Sequence, residues 1–114
     1  MITIADSLFD NYRRSTDFIQ KYIFPGGMLA SPSAAQRAAE AQGLEFAGSV
    51  EFGESYAKTL RIWYEKFNAR WSEVAALGFD DRFRRMWNFY LAGCAATFSA
   101  GTTDVTQLTL RRPA

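Results

Sequence analysis

Histidine is missing from all 114 residues, and Cys94 is the only cysteine. These absences remove a Ser–His–Asp or Cys–His arrangement, the usual His/Cys zinc spacings and any internal disulfide from within the chain. A lone thiol fits a reducing compartment. No apolar run approaches the roughly 18 residues that a membrane-spanning helix requires, because Arg, Lys, Asp or Glu interrupts each one. The start, Met1 to Asp6, has neither the basic residues nor the apolar centre of a signal peptide, so a cytoplasmic location is the expectation. An excess of one charge is missing too. Thirteen basic and twelve acidic residues leave +1, without the electrostatic footprint of a dedicated nucleic-acid binder. There is no G-x-G-x-x-G phosphate loop, internal repeat or low-complexity linker.

Aromatic residues, in contrast, are abundant: three Trp, five Tyr and ten Phe, 16% of the chain. Such rings fill a core or line an apolar cavity, and composition alone does not choose between the two. Their spacing assigns elements. Ile2 and Ile4 flanking Thr3 read as the tail of a strand. From Asp6 to Ile23 the apolar steps of three and four predict two short helices, the second capped by Ser15 or Thr16. Phe24-Pro25-Gly26-Gly27 demands a turn, and Ser31-Pro32 starts a helix that stops at Gly43. Leu44 to Phe52 alternates with period two, as a half-buried strand does. Tyr56, Leu60, Trp63, Phe67, Trp71 and Val74 form one uninterrupted helical stripe from Ser55 to Leu77. Asp80 or Asp81 caps a second long helix carrying Phe83, Met86, Trp87, Tyr90, Leu91, Cys94 and Phe98, and Asp104 to Leu110 reads as a closing strand. The expectation is one partial α/β domain, residues 1–114, helix-rich, with an antiparallel strand pair and an N-terminal strand stub.

Four separated strings carry more than periodicity: Phe18-Ile19-Gln20-Lys21-Tyr22-Ile23-Phe24-Pro25-Gly26-Gly27-Met28-Leu29, Phe52-Gly53-Glu54-Ser55-Tyr56-Ala57-Lys58-Thr59-Leu60, Trp63-Tyr64-Glu65-Lys66-Phe67, and Phe83 to Cys94. In this order they resemble the C-terminal part of the cyclopropane-fatty-acyl-phospholipid synthases and mycolic acid cyclopropane synthases. Ala30 departs from the proline usual in those proteins. The resemblance implies a C-terminal fragment of a class I, Rossmann-like methyltransferase fold whose cofactor loop lies outside these residues. It implies S-adenosylmethionine as methyl donor, bicarbonate as proton acceptor and an unsaturated fatty-acyl phospholipid as substrate, with neither cofactor held by this chain alone. Tyr56 matches the tyrosine that binds bicarbonate, and Ile2 the residue offering a backbone group to it. Phe24, Leu60, Tyr90 and Cys94 match residues lining the acyl tunnel.

On periodicity alone Tyr56 and these four are equally well core residues. Cys94 is not expected to be a nucleophile, since an apolar helix face raises a thiol pKa. The run Arg82, Arg84 and Arg85 is a solvated face or a contact to lipid phosphates, which makes peripheral membrane contact compatible with the sequence. An open edge at Thr106, Leu108 and Leu110 predicts homo-oligomers. A stand-alone lipid-binding or protein-interaction module derived from the same fold is the alternative to an enzyme fragment, and a purely structural helical domain is a third reading.

Overall fold

The computed structural model describes residues 1–114. In chain order it contains β1 (Ile2–Ile4), α1 (Asp6–Arg14), a π-helical turn (Ile19–Ile23), α2 (Pro32–Glu40), β2 (Glu45–Glu51), α3 (Gly53–Ala69), α4 (Trp71–Ala76), α5 (Asp81–Ser99) and β3 (Thr103–Arg111). The three strands form one antiparallel sheet in the order β1-β3-β2, so the last strand lies in the middle. Ile2 stands opposite Val105, and Ser49 opposite Leu108, with the β2 register shifting between Phe46 and Gly48. No helix is long and apolar enough to cross a membrane.

Several ends form as their residues dictate. Ser31 caps α2 by accepting from the Ala34 N–H, and Asp80, not Asp81, caps α5 by accepting from Phe83. The predicted cap at Ser15 or Thr16 is instead Asp17. Its carboxylate accepts from the Gln20 N–H at 2.8 Å while the Gln20 side chain accepts from the Asp17 N–H, a reciprocal box over a turn that closes with Phe24 N–H on the Ile19 carbonyl.

The long helical stripe is not one helix. It breaks at Arg70, between α3 and α4. Asn68 donates its side-chain amide to the Tyr64 carbonyl and to Asn88, offering the backbone a competing arrangement. Across the break the Trp71 ring meets Phe67 at 5.7 Å and lies beneath the Arg84 guanidinium. Arg84 therefore belongs to this internal contact, whereas Arg82 and Arg85 are exposed.

The core is the seam between α3 and α5, where Ala57, Leu60, Leu91, Cys94, Ala95 and Phe98 are buried together. Small residues at 57 and 95 admit the close approach of the two helices. The strand expected to be half-buried, β2, is almost wholly exposed: Val50 keeps 61% of its surface. Alternation encodes a facing layer, and no element of this chain covers that face.

Candidate functional site

The turn after the π-helical segment closes one side of a cavity. Gly26 takes φ +78°, and a Cβ on Gly27 would lie 2.9 Å from the Phe24 carbonyl oxygen, so both glycines are required where the chain folds back. The Tyr12 hydroxyl then accepts from the Leu29 N–H at 2.9 Å, and the Gln20 amide donates to the Gly27 carbonyl at 3.2 Å. These bonds pin residues 27–29 opposite α5.

Between them lies a cavity of about 330 Å³, lined by Ile2, Tyr12, Asp17, Ile19, Gln20, Phe24, Gly27, Met28, Leu29, Tyr90, Cys94, Thr97, Phe98 and Thr103. Its size falls within the range of small-molecule sites, about 300–1,000 Å³. Cys94 and Phe98 form its buried wall, whereas Phe24 and Met28, 58% and 57% exposed, stand at its rim. A file of rings, Phe79, Phe83, Trp87, Tyr90 and Phe24, runs along α5 to that rim with neighbouring centroids 4.5–6.3 Å apart. The abundance of aromatics thus serves both a helix face and a cavity wall.

Four of the residues singled out in the sequence, Ile2, Phe24, Tyr90 and Cys94, meet around this cavity. Tyr56 stands just beyond the lining, its ring edge-on to Phe98 at 4.9 Å. Leu60 is not on this wall. It is 1% exposed in the α3–α5 seam and borders a separate groove with Arg61, Tyr64, Glu65, Leu91, Ala92, Ala95 and Ala96. Sequence reasoning did not single out Tyr12, Asp17 or Phe98 for this site, and only the place of Phe98 on the long helix face marked it at all.

Three ionisable groups crowd the buried wall. Burial pushes the Cys94 thiol up to about 11, aided by the negative charge of Asp17 and opposed by a hydrogen bond with Tyr90. Burial likewise raises Tyr90 to about 12, with Cys94 and Tyr56 adding to it, and raises Tyr56, with Cys94 as the second cause. All three are neutral at neutral pH, so the wall is apolar in charge as well as composition. Ile2 pairs with Val105, while Met1 exchanges both backbone bonds with Thr106. That alternation turns the Ile2 N–H away from β3, toward the Met28 to Ala30 side.

The three strands pair in antiparallel fashion, and the parallel contact is a single bridge between Thr3 and Ala30. For bicarbonate there are a phenol and one backbone amide, but the only charged side chain lining the cavity, Asp17, is an anion.

A model of the family described as mycolic acid cyclopropane synthetase matches residues 1–108. The chain is 45% identical over 101 residues to the tuberculostearic acid methyltransferase UfaA1 of Mycobacterium tuberculosis, a match covering 88% of this chain and 24% of that protein. It is 37% identical over 95 residues to the cyclopropane-fatty-acyl-phospholipid synthase of Escherichia coli, covering 83% and 24% respectively. Among solved structures, mycolic acid cyclopropane synthase CmaA1 complexed with SAH and CTAB superimposes with a TM-score of 0.84 at 29% identity, over 97% of this chain and 42% of that one. The architecture is therefore a piece of an S-adenosylmethionine-dependent methyltransferase fold. More narrowly, the chain belongs to the mycolic acid cyclopropane synthetase family. It spans about a quarter of the length of the curated relatives named here.

Proposed function

We propose that this chain supplies the acyl-chain wall of a methyltransferase that transfers a methyl group from S-adenosylmethionine to an unsaturated fatty-acyl phospholipid, and that alone it is inactive. The observation that carries this reading is the 330 Å³ apolar cavity around Ile2, Phe24, Tyr90 and Cys94. An alkene is a weak nucleophile, so the reaction depends on holding it in place and excluding water. Phe98, Cys94 and the neutral Tyr90 do both on the buried wall. Tyr56, behind Phe98, is the phenol assigned to the proton acceptor when the rest of the site is present, with the Ile2 N–H as its companion donor. The methyl donor and the remaining contacts to the bicarbonate are the part of residues outside this chain.

Phe24 and Met28 at the rim give an acyl chain an apolar path from a lipid surface, the kind of peripheral contact this reading requires. A stand-alone lipid-binding or protein-interaction module derived from the same fold is the second reading, and its lipid-binding form makes the same cavity the functional site. Calorimetry tests both. Below its micelle-forming concentration, dodecyltrimethylammonium is expected to bind saturably at one site, whereas S-adenosylmethionine gives no heat of binding. An amphiphile that does not bind contradicts the cavity assignment, and saturable S-adenosylmethionine binding contradicts the division of the site.

A further inference from the structure

The α3–α5 seam also opens into a groove of about 340 Å³ that shares no lining residue with the cavity. Leu60, Leu91 and Ala95 are its buried floor, and on the α5 side only the short side chains of Ala92 and Ala96 stand above it. Alanines at such a wall let another helix approach to packing distance. The α3 rim carries Arg61 and Glu65, one turn apart, and neither takes part in the ion pairs Arg13–Asp10, Arg70–Glu73 and Arg111–Glu45. Arg61 spends one N–H on the Ser99 hydroxyl at 2.6 Å and keeps its other donors. A cation N-terminal to an anion at this spacing is the weaker order for pairing within a helix. The two side chains stand about 40° apart around the helix, with Ile62 and Tyr64, 49% and 38% exposed, on either side of them.

We propose that this groove seats α3 of a second copy of the chain, in an antiparallel pair about a two-fold axis beside residue 63. That register sets Arg61 against the partner's Glu65, and Glu65 against the partner's Arg61. Each α3 then lies over Ala92 and Ala96 of the opposite copy, and the four long helices form one bundle with the two α3 helices at its centre. A two-fold contact requires a surface that complements itself, and a cation and an anion astride the axis meet that requirement. Exposed ion pairs contribute little individually, so burial of Ile62 and Tyr64 supplies the affinity while the charges fix register and direction.

Sedimentation of the Leu108→Lys chain, whose open strand edge carries a charge, isolates the groove from the sheet. The expected species at high micromolar concentration is a dimer. Arg61→Glu added to it sets like charges together at both ends of the contact, and is expected to weaken the dimer by about tenfold; Glu65→Arg does the same. The double variant Arg61→Glu with Glu65→Arg reverses both signs and is expected to restore the dimer, which loss of folding in a single variant would not allow. A Leu108→Lys chain that stays monomeric overturns the inference and leaves the groove to a helix of another protein. Single variants that dimerise as well as their parent overturn it too, as does a double variant that stays monomeric.

Discussion

Cys94 shows how one side chain couples the core to the cavity. Its thiol is raised from about 9 to about 11 by burial, so the unfolded chain ionises first as pH climbs. A group that is protonated when folded and ionised when unfolded contributes stability below its unfolded pKa, and that contribution is lost as pH rises toward the folded value. Unfolding midpoints should therefore fall between pH 9 and 11 and continue to fall toward 12 as Tyr90 titrates. Cys94→Ala should flatten the first part of that decline, as urea titrations across the range would show. A decline of equal slope in the variant would remove Cys94 as its source. The site was legible at this scale only where the resemblance named a residue. Periodicity placed Tyr90, Cys94 and Phe98 on one helix face, but it had no means of separating core from cavity wall, because both demand apolar side chains at the same spacing. Leu60 illustrates the ambiguity: the resemblance matches it to the acyl tunnel, its stripe allows a core residue equally well, and within this chain it packs in the seam. Asp17 was invisible for the opposite reason, since a lone carboxylate between helices looks like any cap.

Among the elements, the start of α3 is held by an unusually close fit to β3. The Gly53 N–H donates to the Asp104 carboxylate at 2.7 Å, and a Cβ on Gly53 would lie 2.7 Å from that oxygen and 3.2 Å from the Asp104 Cα. This contact fixes where Tyr56, three residues on, meets Phe98. Gly53→Ala should cost about 1–3 kcal/mol, the usual range for overpacking, and should disturb the near-ultraviolet signal of the Tyr56 to Phe98 ring pair. A variant as stable as the parent would mean that β3 yields at no cost. The elements themselves were largely readable, since Pro32, Gly43 and Asp80 mark ends that backbone chemistry enforces. The break at Arg70 was not, because it arises from Asn68 meeting Asn88 on another helix, a tertiary contact that no local pattern announces. Likewise β2 has the alternation of a covered strand although nothing in this chain covers it.

The molecule as a whole is extended, measuring 55 × 28 × 26 Å with a radius of gyration of 17.0 Å, against about 13 Å for a compact chain of this length. Its accessible surface is 7752 Å², against about 6,300 Å² for a compact monomer of this mass. Beside the exposed β2, large apolar side chains on the helices stand open, Leu77 and Phe89 among them. The open strand edge is shorter than the sequence implied, because Thr106 is buried and exchanges both backbone bonds with Met1. Leu108 and Leu110 lie beyond the end of β1, whose pairing with β3 reaches only Val105. An unpaired edge beside exposed Val50 and Phe52 favours association between copies. Sedimentation should show a dimer or larger species at high micromolar concentration, and Leu108→Lys should shift it toward monomer. A monomeric parent under those conditions would contradict the role of this edge.

The central claim is that an acyl chain occupies the space between the Phe24 turn and α5, not the groove beside Leu60. Backbone amide chemical shifts followed during titration with dodecyltrimethylammonium test this most directly. The account predicts that saturable shifts cluster at Ile2, Ile19, Gly27, Leu29, Cys94 and Phe98. Shifts confined to Arg61, Glu65, Ala92 and Ala96, or spread evenly over the chain, would contradict it.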